Sequence, residues 1–246
     1  MNHTTKYCIN YFFLVVLLSY FSSSCGEKDA ILPVHETGTV LDIDSNVYKT
    51  VKIGNQWWMS ENLRVTRFRS GNQIKFINTN EDWEKNKEAA YTTYENNAKN
   101  LGNLYNYNAV IQSDGIAPSG WHIPSDEEWK ELEQFLGLHT DQLDKINWRG
   151  NDEGDALKIE GASGEWTFVE GVWGTNESGF SALAASCRFY KGALGNPGLK
   201  GSAFFWTSTP YFKNEAWYRY LDYKKSGIFR FTGQHNYGFS IRCVKD

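Results

Sequence analysis

The sequence predicts one α+β domain that extends from about residue 38 to the end of the chain. Two observations carry this prediction. Short runs rich in aromatic and β-branched residues fill the second half, which is typical of strands. One stretch in the first half has the apolar spacing and end signals of a helix. The 246 residues, 41% hydrophobic and 22% charged, suffice for one large domain or two small ones.

The N-terminus predicts export. Lys6 is the only formally charged side chain before Glu27, and residues 9–20 (INYFFLVVLLSY) are almost continuously apolar. This run is shorter than the roughly 20 residues of a membrane-spanning helix, so residues 1–24 are predicted to be a signal peptide. Three serines then lead to Cys25, as in a lipobox whose cysteine becomes acylated, although Ser22 stands at the usual leucine position.

Acylation of Cys25 would anchor the protein to a membrane, with residues 25–37 as a tether and residues 38–246 as the domain. This predicts a place in the cell envelope, at the outer membrane or the cell surface. A plain cleaved signal peptide and a retained single anchor are the alternatives. The net charge of −4 comes with scattered Lys and Arg, so nucleic acid is not an expected partner.

The domain begins with a predicted hairpin. Residues 39–59 alternate in the manner of paired strands around an Asp44-Ser45-Asn46 turn. Asp42, Asp44 and Asn46 have the spacing that opens a calcium loop. However, Val47 and Ile53 stand where such a loop needs glycine and glutamate. A simple turn is therefore favoured.

Two helices are predicted next, a short one at residues 104–111 and a longer one that begins at Ser125. Ser125 and Glu128 have the spacing of a capping box, and Gly137 ends the apolar periodicity. The neighbouring acids fit helix initiation. His122, just before this helix, is interpreted as a structural group and not as a ligand.

The C-terminal half predicts strands. The runs are SGFSALAAS, AFFWTST, AWYRYLDY, GIFRFT and YGFSIRCVKD. Cys187 directly follows the first run and Cys243 lies in the last. The two cysteines could pair in an oxidising compartment or remain two buried thiols. With no Cys/His cluster in the chain, neither a metal site nor a cofactor is expected.

Several blocks in fixed order closely resemble the Fibrobacter succinogenes major paralogous domain, a family of exported, often lipid-anchored bacterial proteins. They include VYKTVKIGNQWWMSENLR, LGNLYNYNAV, APSGWHIPSDEEWKELEQFLG and YGFSIRCVKD. The resemblance implies a C-type-lectin-like (formylglycine-generating-enzyme-like) domain with two main helices and a twisted antiparallel sheet. It implies no defined activity. The carboxylate loop of calcium-dependent lectins is missing, and Cys187 and Cys243 would be the only candidates for the cysteine pair of the related oxidase.

No catalytic motif of a known class occurs, so we expect a lipid-anchored envelope binding or adhesion module without catalytic residues. Its ligand would be a glycan or a protein, contacted by Tyr211, Trp217 and Arg219 from loops between C-terminal strands. The alternative is an envelope enzyme acting on glycans or proteins through carboxylates that only the fold brings together. Asp152, Glu153 and Asp155 are candidates for that role, although a solvated turn and helix start is the simpler interpretation. A purely structural envelope component is a third hypothesis.

Overall fold

The computed structural model describes residues 35–94, 101–160, 166–195 and 200–246. All of them fall in the second of the two units into which the chain divides, Pro33–Asp246. The signal peptide, Cys25 and nearly all of the tether lie outside the described residues and stay predictions. The structured part begins slightly before residue 38, because the Glu36 carbonyl already accepts the Lys52 amide.

The described fold is mostly β, with 34% strand and 15% helix in three sheets and four short helices. The predicted α+β, C-type-lectin-like architecture with two main helices is therefore wrong. Its second helix is absent because residues 104–111 form a strand followed by a single helical turn. None of the described helices has the length and hydropathy needed to cross a bilayer.

The strands are numbered in chain order. They are β1 (Thr37–Leu41), β2 (Val47–Ile53), β3 (Gln56–Met59), β4 (Lys75–Phe76), β5 (Ala90–Thr92), β6 (Leu104–Asn106), β7 (Trp121–His122), β8 (Asn147–Arg149), β9 (Ser202–Pro210), β10 (Glu215–Asp222), β11 (Ile228–Gln234), β12 (Gly238–Phe239) and β13 (Val244–Lys245). The helices are α1 (Asn80–Lys85), α2 (Tyr107–Val110), α3 (Asp126–Phe135) and α4 (Glu153–Leu157), with a 3-10 turn at Thr140–Gln142.

The first sheet has the strand order β1-β2-β3-β13-β7. Its β1–β2 hairpin confirms the sequence prediction, with Leu41 opposite Val47. The Asp42 carboxylate closes the turn by accepting the amides of Asp44 and Asn46, each at 2.9 Å. Ser45 adopts a left-handed φ of 64° there.

The second sheet, β8-β11-β10-β9, has two faces of opposite character. Arg219 lies opposite Arg230, whereas Tyr220 lies opposite Phe229. Because side chains alternate along a strand, one face carries the arginines and the other carries aromatic rings. Helix α3 covers the arginine face through ion pairs from Asp126 and Glu133.

The third sheet, β12-β6-β5-β4, leads directly into α2. The Asn106 side chain caps this helical turn by accepting the Ala109 amide at 3.1 Å. Tyr107 then packs its ring against Trp206 of the second sheet, with centroids 5.2 Å apart. The aromatic contacts therefore join the two sheets around a common core.

The longer helix was predicted correctly. Ser125 caps α3, and the reciprocal bonds of the capping box with Glu128 are both present. Trp129 and Leu132 face the core, where Trp129 meets Trp58 edge to face at 5.1 Å. The helix stops at Phe135, before Gly137 with a φ of 114°.

Two of the predicted C-terminal strands are wrong in detail. SGFSALAAS forms no strand, because Ser181 and Ser186 both adopt a left-handed φ of 55° and the segment makes only isolated bridges. YGFSIRCVKD divides into β12 and β13, which belong to different sheets. The fully buried Arg242 lies between them. The other three runs form β9, β10 and β11 as predicted.

Candidate functional site

Arg219, a predicted ligand-binding residue, lies inside the protein. Its guanidinium is fully buried, 2.7 Å from Asp126 Oδ1 and also hydrogen-bonded to Glu133. Arg230 binds the same Asp126 carboxylate at 2.7 and 3.0 Å, and Arg149 binds Glu133 at 2.8 Å. The placement of Arg219 in a loop open to a ligand is therefore wrong, because strand alternation turns it towards α3.

These contacts shift the pKa values of Asp126 and Arg219 in the directions that keep both groups charged. Burial by itself would raise the pKa of the Asp126 carboxyl, but Arg230 and Arg219 outweigh it and hold that pKa well below its usual range. Burial by itself would lower the pKa of Arg219, but Glu133 and Asp126 raise it. Asp126 and Arg219 are thus held in their charged forms inside the core, whereas burial lowers the pKa of Arg149.

Tyr211 and Trp217 form an aromatic pair near the same strands. Tyr211 is 58% exposed and its ring contacts Trp217 at 4.9 Å between centroids. The Arg230 guanidinium carbon lies 3.6 Å from the centroid of the Trp217 ring. One face of Trp217 is therefore occupied from inside, whereas Tyr211 remains open to solvent.

Cys187 and Cys243 are free thiols, and both are buried in the same core cluster. This corresponds to the second of the two alternatives from the sequence. Burial raises the pKa of the Cys187 thiol to about 12 and also raises that of Cys243. Neither thiol is therefore activated for chemistry.

His122 has a partner on each ring nitrogen. Nδ1 lies 2.6 Å from an Asp246 carboxylate oxygen and Nε2 lies 2.7 Å from Glu128 Oε1. Partial burial acts to lower the pKa of His122, but the hydrogen bonds with Asp246 and Glu128 outweigh it and raise that pKa above 6.5. The histidine joins β7, α3 and the C-terminal residue, which fits the structural role expected from the sequence.

The acidic candidates for catalysis are mostly engaged elsewhere. Glu153 is buried and accepts the amides of Asn151 and Asp152, and Asp155 is buried in an ion pair with Lys158 at 2.8 Å. The expectation that they are solvated is wrong for these two, because α4 packs inward. With Asp152 they line a cavity of about 450 Å³ that the exposed Trp173 also borders.

The strongest candidate site is an open groove of about 600 Å³ at the tip of the β9–β10 hairpin. We call it the hairpin groove. Its lining is polar, with a single exposed ring, and consists of Asn86, Lys87, Asn108, Phe212, Lys213, Asn214, Glu215, Gln234, His235 and Asn236. Groove-lining residues thus come from four separate segments of the chain, which explains why no sequence motif marks it.

Hydrogen bonds hold these segments together. The His235 amide donates to the Asn214 carbonyl and the Tyr107 amide donates to the His235 carbonyl, both at 2.8 Å. The indole N–H of Trp83 donates to the Asn236 carbonyl at 2.7 Å. The base of the groove is therefore built on paired backbone and not on free loops.

The groove offers amide groups that have no internal partner. Within the described residues, no hydrogen bond is made by the side chains of Asn214 and Gln234, and both are exposed. Asn108 and Asn236 donate to the carbonyls of Lys87 and Tyr190, but their own side-chain oxygens accept no hydrogen bond in the described part of the chain. Such groups can donate to and accept from a polar ligand.

The remaining walls of the groove combine an apolar ring with fixed charges. Phe212 is 63% exposed, and the Lys213 ammonium lies 5.2 Å from its ring centroid. Lys213 adopts a left-handed φ of 49°, a conformation that non-glycine residues rarely take. Burial lowers the pKa of His235, partly offset by a hydrogen bond to the Glu215 backbone, so its ring is neutral at pH 7. The groove can therefore offer a ligand hydrogen bonds and contact with an aromatic ring.

The sequence prediction included a residue next to this groove, Tyr211, but none of the residues that line it. Tyr211 directly precedes Phe212, and both belong to the Tyr211-Phe212-Lys213-Asn214 turn between two predicted strands. The aromatic and polar composition of this turn was the sequence feature that could have indicated the groove. The described residues contain no group of three or more His, Cys, Asp or Glu that could hold a metal ion.

Comparison with known protein families matches residues 51–245 to the Fibrobacter succinogenes major domain. Neither curated proteins nor solved structures give a significant match. The matched range includes every strand from β3 onwards and the whole hairpin groove. The chain belongs to the Fibrobacter succinogenes major domain family.

Proposed function

We propose that the protein is a lipid-anchored binding or adhesion module of the cell envelope, without catalytic chemistry, and that its ligand occupies the hairpin groove. The observation that carries the proposal is the set of unpartnered amides beside the exposed ring of Phe212. Groups of this kind orient a ligand by hydrogen bonds while an apolar wall excludes water. The ligand would be a glycan or a protein segment.

A binding screen tests this proposal. The purified full chain in mild detergent is applied to glycan and peptide arrays, beside the Asn214→Ala/Gln234→Ala double variant. Each lost hydrogen bond is worth about 0.5–1.5 kcal/mol, so binding should weaken roughly tenfold or more. Asn72→Ala/Gln112→Ala removes two exposed amides elsewhere and serves as the matched control. Equal binding by both double variants would exclude the groove.

The anchor is tested separately. Cys25→Ser should move the protein from the membrane fraction to the soluble fraction, and mass spectrometry of the wild type should find an acylated Cys25 at its N-terminus. Recovery of the wild type as a soluble species with an intact leader would exclude lipid anchoring. This result would not depend on what the groove binds.

The alternative is an envelope enzyme that uses carboxylates. Its support is the 450 Å³ cavity, where Asp152, Glu170 and Glu177 lie near Trp173. An acid catalyst at neutral pH needs a raised pKa, and every carboxyl with a displaced pKa in the described residues is displaced downwards. Product release from glycan or peptide substrates that Asp152→Asn abolishes would favour the enzyme over the binding module.

A further inference from the structure

The face of the second sheet opposite α3 carries a continuous set of aromatic rings. Strand pairing places Tyr220 opposite both Phe204 and Phe229, and Phe229 opposite Trp148. In contact order we call the following six rings the aromatic row: Tyr237, Phe239, Phe204, Tyr220, Phe229 and Trp148. Consecutive centroids are 5.3, 5.2, 4.4, 5.7 and 5.3 Å apart.

Part of this row is accessible. Phe239 lies in the core that joins the second and third sheets, and Phe204 and Tyr237 pack against that core. All its members except Phe239 are partly exposed, and the neighbouring Phe231 is 38% exposed. The five consecutive ring contacts of the row lie on the side of the sheet opposite α3, which packs against the arginine face. The partly exposed rings of the row are therefore available for contact with a ligand.

The row is electrically neutral. The outward positions of β9, β10 and β11 include one ionisable acid, Asp222, which lies at the end of β10. Its carboxylate already accepts the Tyr220 hydroxyl and the Lys224 amide. A surface without free charge does not favour a charged polymer such as nucleic acid. It favours an uncharged partner.

The row also begins next to the hairpin groove along the chain. Tyr237, its first ring, directly follows the groove residue Asn236, and its amide donates to the Gln234 carbonyl at 2.9 Å. Asn236 in turn donates to the carbonyl of Tyr190, whose ring contacts Tyr237 at 5.5 Å. A ligand bound in the groove that extends past Asn236 would therefore meet Tyr237, the first ring of the row.

We infer that the ligand is an uncharged, linear polysaccharide, with one or two sugar units in the groove and further units along the aromatic row. This inference rests on the proposed binding function of the groove. A sugar chain presents hydroxyl groups, which the free amides match, and apolar C–H faces, which aromatic rings match. A folded protein partner would instead be expected to meet aliphatic as well as aromatic side chains, which the row lacks.

The inference predicts that affinity depends on chain length. Linear β-1,4-glucan, β-1,4-mannan and α-1,4-glucan oligosaccharides of two and six units serve as probes for calorimetric titration of the full chain. With the wild type, the hexasaccharide of the series that binds should bind about tenfold or more tighter than its disaccharide, because ring contacts add to the groove contacts.

Variants separate the row from the groove. Trp148→Ala/Phe229→Ala should remove the length advantage while the disaccharide affinity stays unchanged. The single Phe231→Ser variant changes an exposed ring and should reduce the same advantage if the double variant does not fold. Phe135→Ala, whose ring is 63% exposed on α3, is the aromatic control and should change nothing.

The outcomes distinguish the two proposals. Disaccharide binding that Asn214→Ala/Gln234→Ala weakens, but that does not grow with chain length, overturns the row and leaves the groove. An undiminished length advantage in both Trp148→Ala/Phe229→Ala and Phe231→Ser overturns the row as well. If no saccharide of any series binds while a peptide does so through the groove, the polysaccharide inference is wrong and the binding function stands.

Discussion

Replacing Arg219 by alanine should lower the stability of the fold, and its effect should not be limited to ligand binding. The substitution removes a fully buried guanidinium that contacts both Asp126 and Glu133. Asp126 keeps its two bonds to Arg230. Glu133 keeps one bond to Arg149, and its second oxygen has no partner even in the wild type. The variant therefore leaves a fully buried carboxylate poorly compensated.

The expected loss follows from this geometry. Removing one partner of a buried ion pair costs about 3–5 kcal/mol because the other charge stays buried. A domain of this size loses about 2–4 °C of Tm per kcal/mol, so the melting temperature should fall by roughly 6–20 °C. Arg219→Ala/Glu133→Gln should lose less than the sum of the two single variants, because the uncompensated charge is gone.

Urea denaturation of the full chain followed by tryptophan fluorescence measures the free energy of unfolding. Lys75→Ala is the control, since this half-exposed lysine pairs with Glu88 only at 3.7 Å and should cost less than about 1 kcal/mol. A loss below about 1 kcal/mol for Arg219→Ala would refute the buried network. Full stability with lost ligand binding would restore Arg219 as a ligand-binding residue.

Three further predictions concern local features. Ser125→Ala removes the cap of α3 and should cost about 1 kcal/mol in urea denaturation, whereas the exposed Ser113→Ala should cost almost nothing; equal effects would contradict the capping argument. Alkylation followed by peptide mass spectrometry should find Cys187 and Cys243 unmodified in the native protein and modified after unfolding; rapid native labelling, or a disulfide between them, would contradict their burial as thiols. Because the pKa of His122 is raised above 6.5 in the fold, its contribution to stability should be complete below pH 6.5 and should disappear as the pH rises through the folded-state value. His122→Gln should therefore lose most stability relative to wild type at acidic pH and least at alkaline pH, and a difference that grows with pH would show the sign to be wrong.

Local signals were sufficient for the local elements. The hairpin at β1–β2 and the start of α3 were predicted correctly because a turn residue or a capping box acts within a few positions along the chain. The strands β9, β10 and β11 followed from their aromatic runs for the same reason. By contrast, SGFSALAAS has strand-like composition, yet Ser181 and Ser186 adopt left-handed conformations and the segment makes only isolated bridges.

Local sequence signals were not sufficient to predict the candidate site. Arg219 and Tyr218 are neighbours in sequence, but one belongs to a buried ion network and the other to the aromatic face. Alternation along β10 was visible in the sequence. Which face α3 would cover was not, because that depends on Asp126 and Glu133, more than 80 positions away.

The sequence by itself determined the family, the positions of the main C-terminal strands and the start of the one long helix, since these depend on residue order and short-range spacing. Tertiary structure alone decided that three sheets replace a two-helix architecture, that Arg219 is internal and that the groove amides meet at the hairpin tip. The physical reason is that burial and hydrogen bonding between distant segments depend on which surfaces pack together, and side chains such as Asn108, Asn214 and Gln234 become neighbours only after that packing is complete.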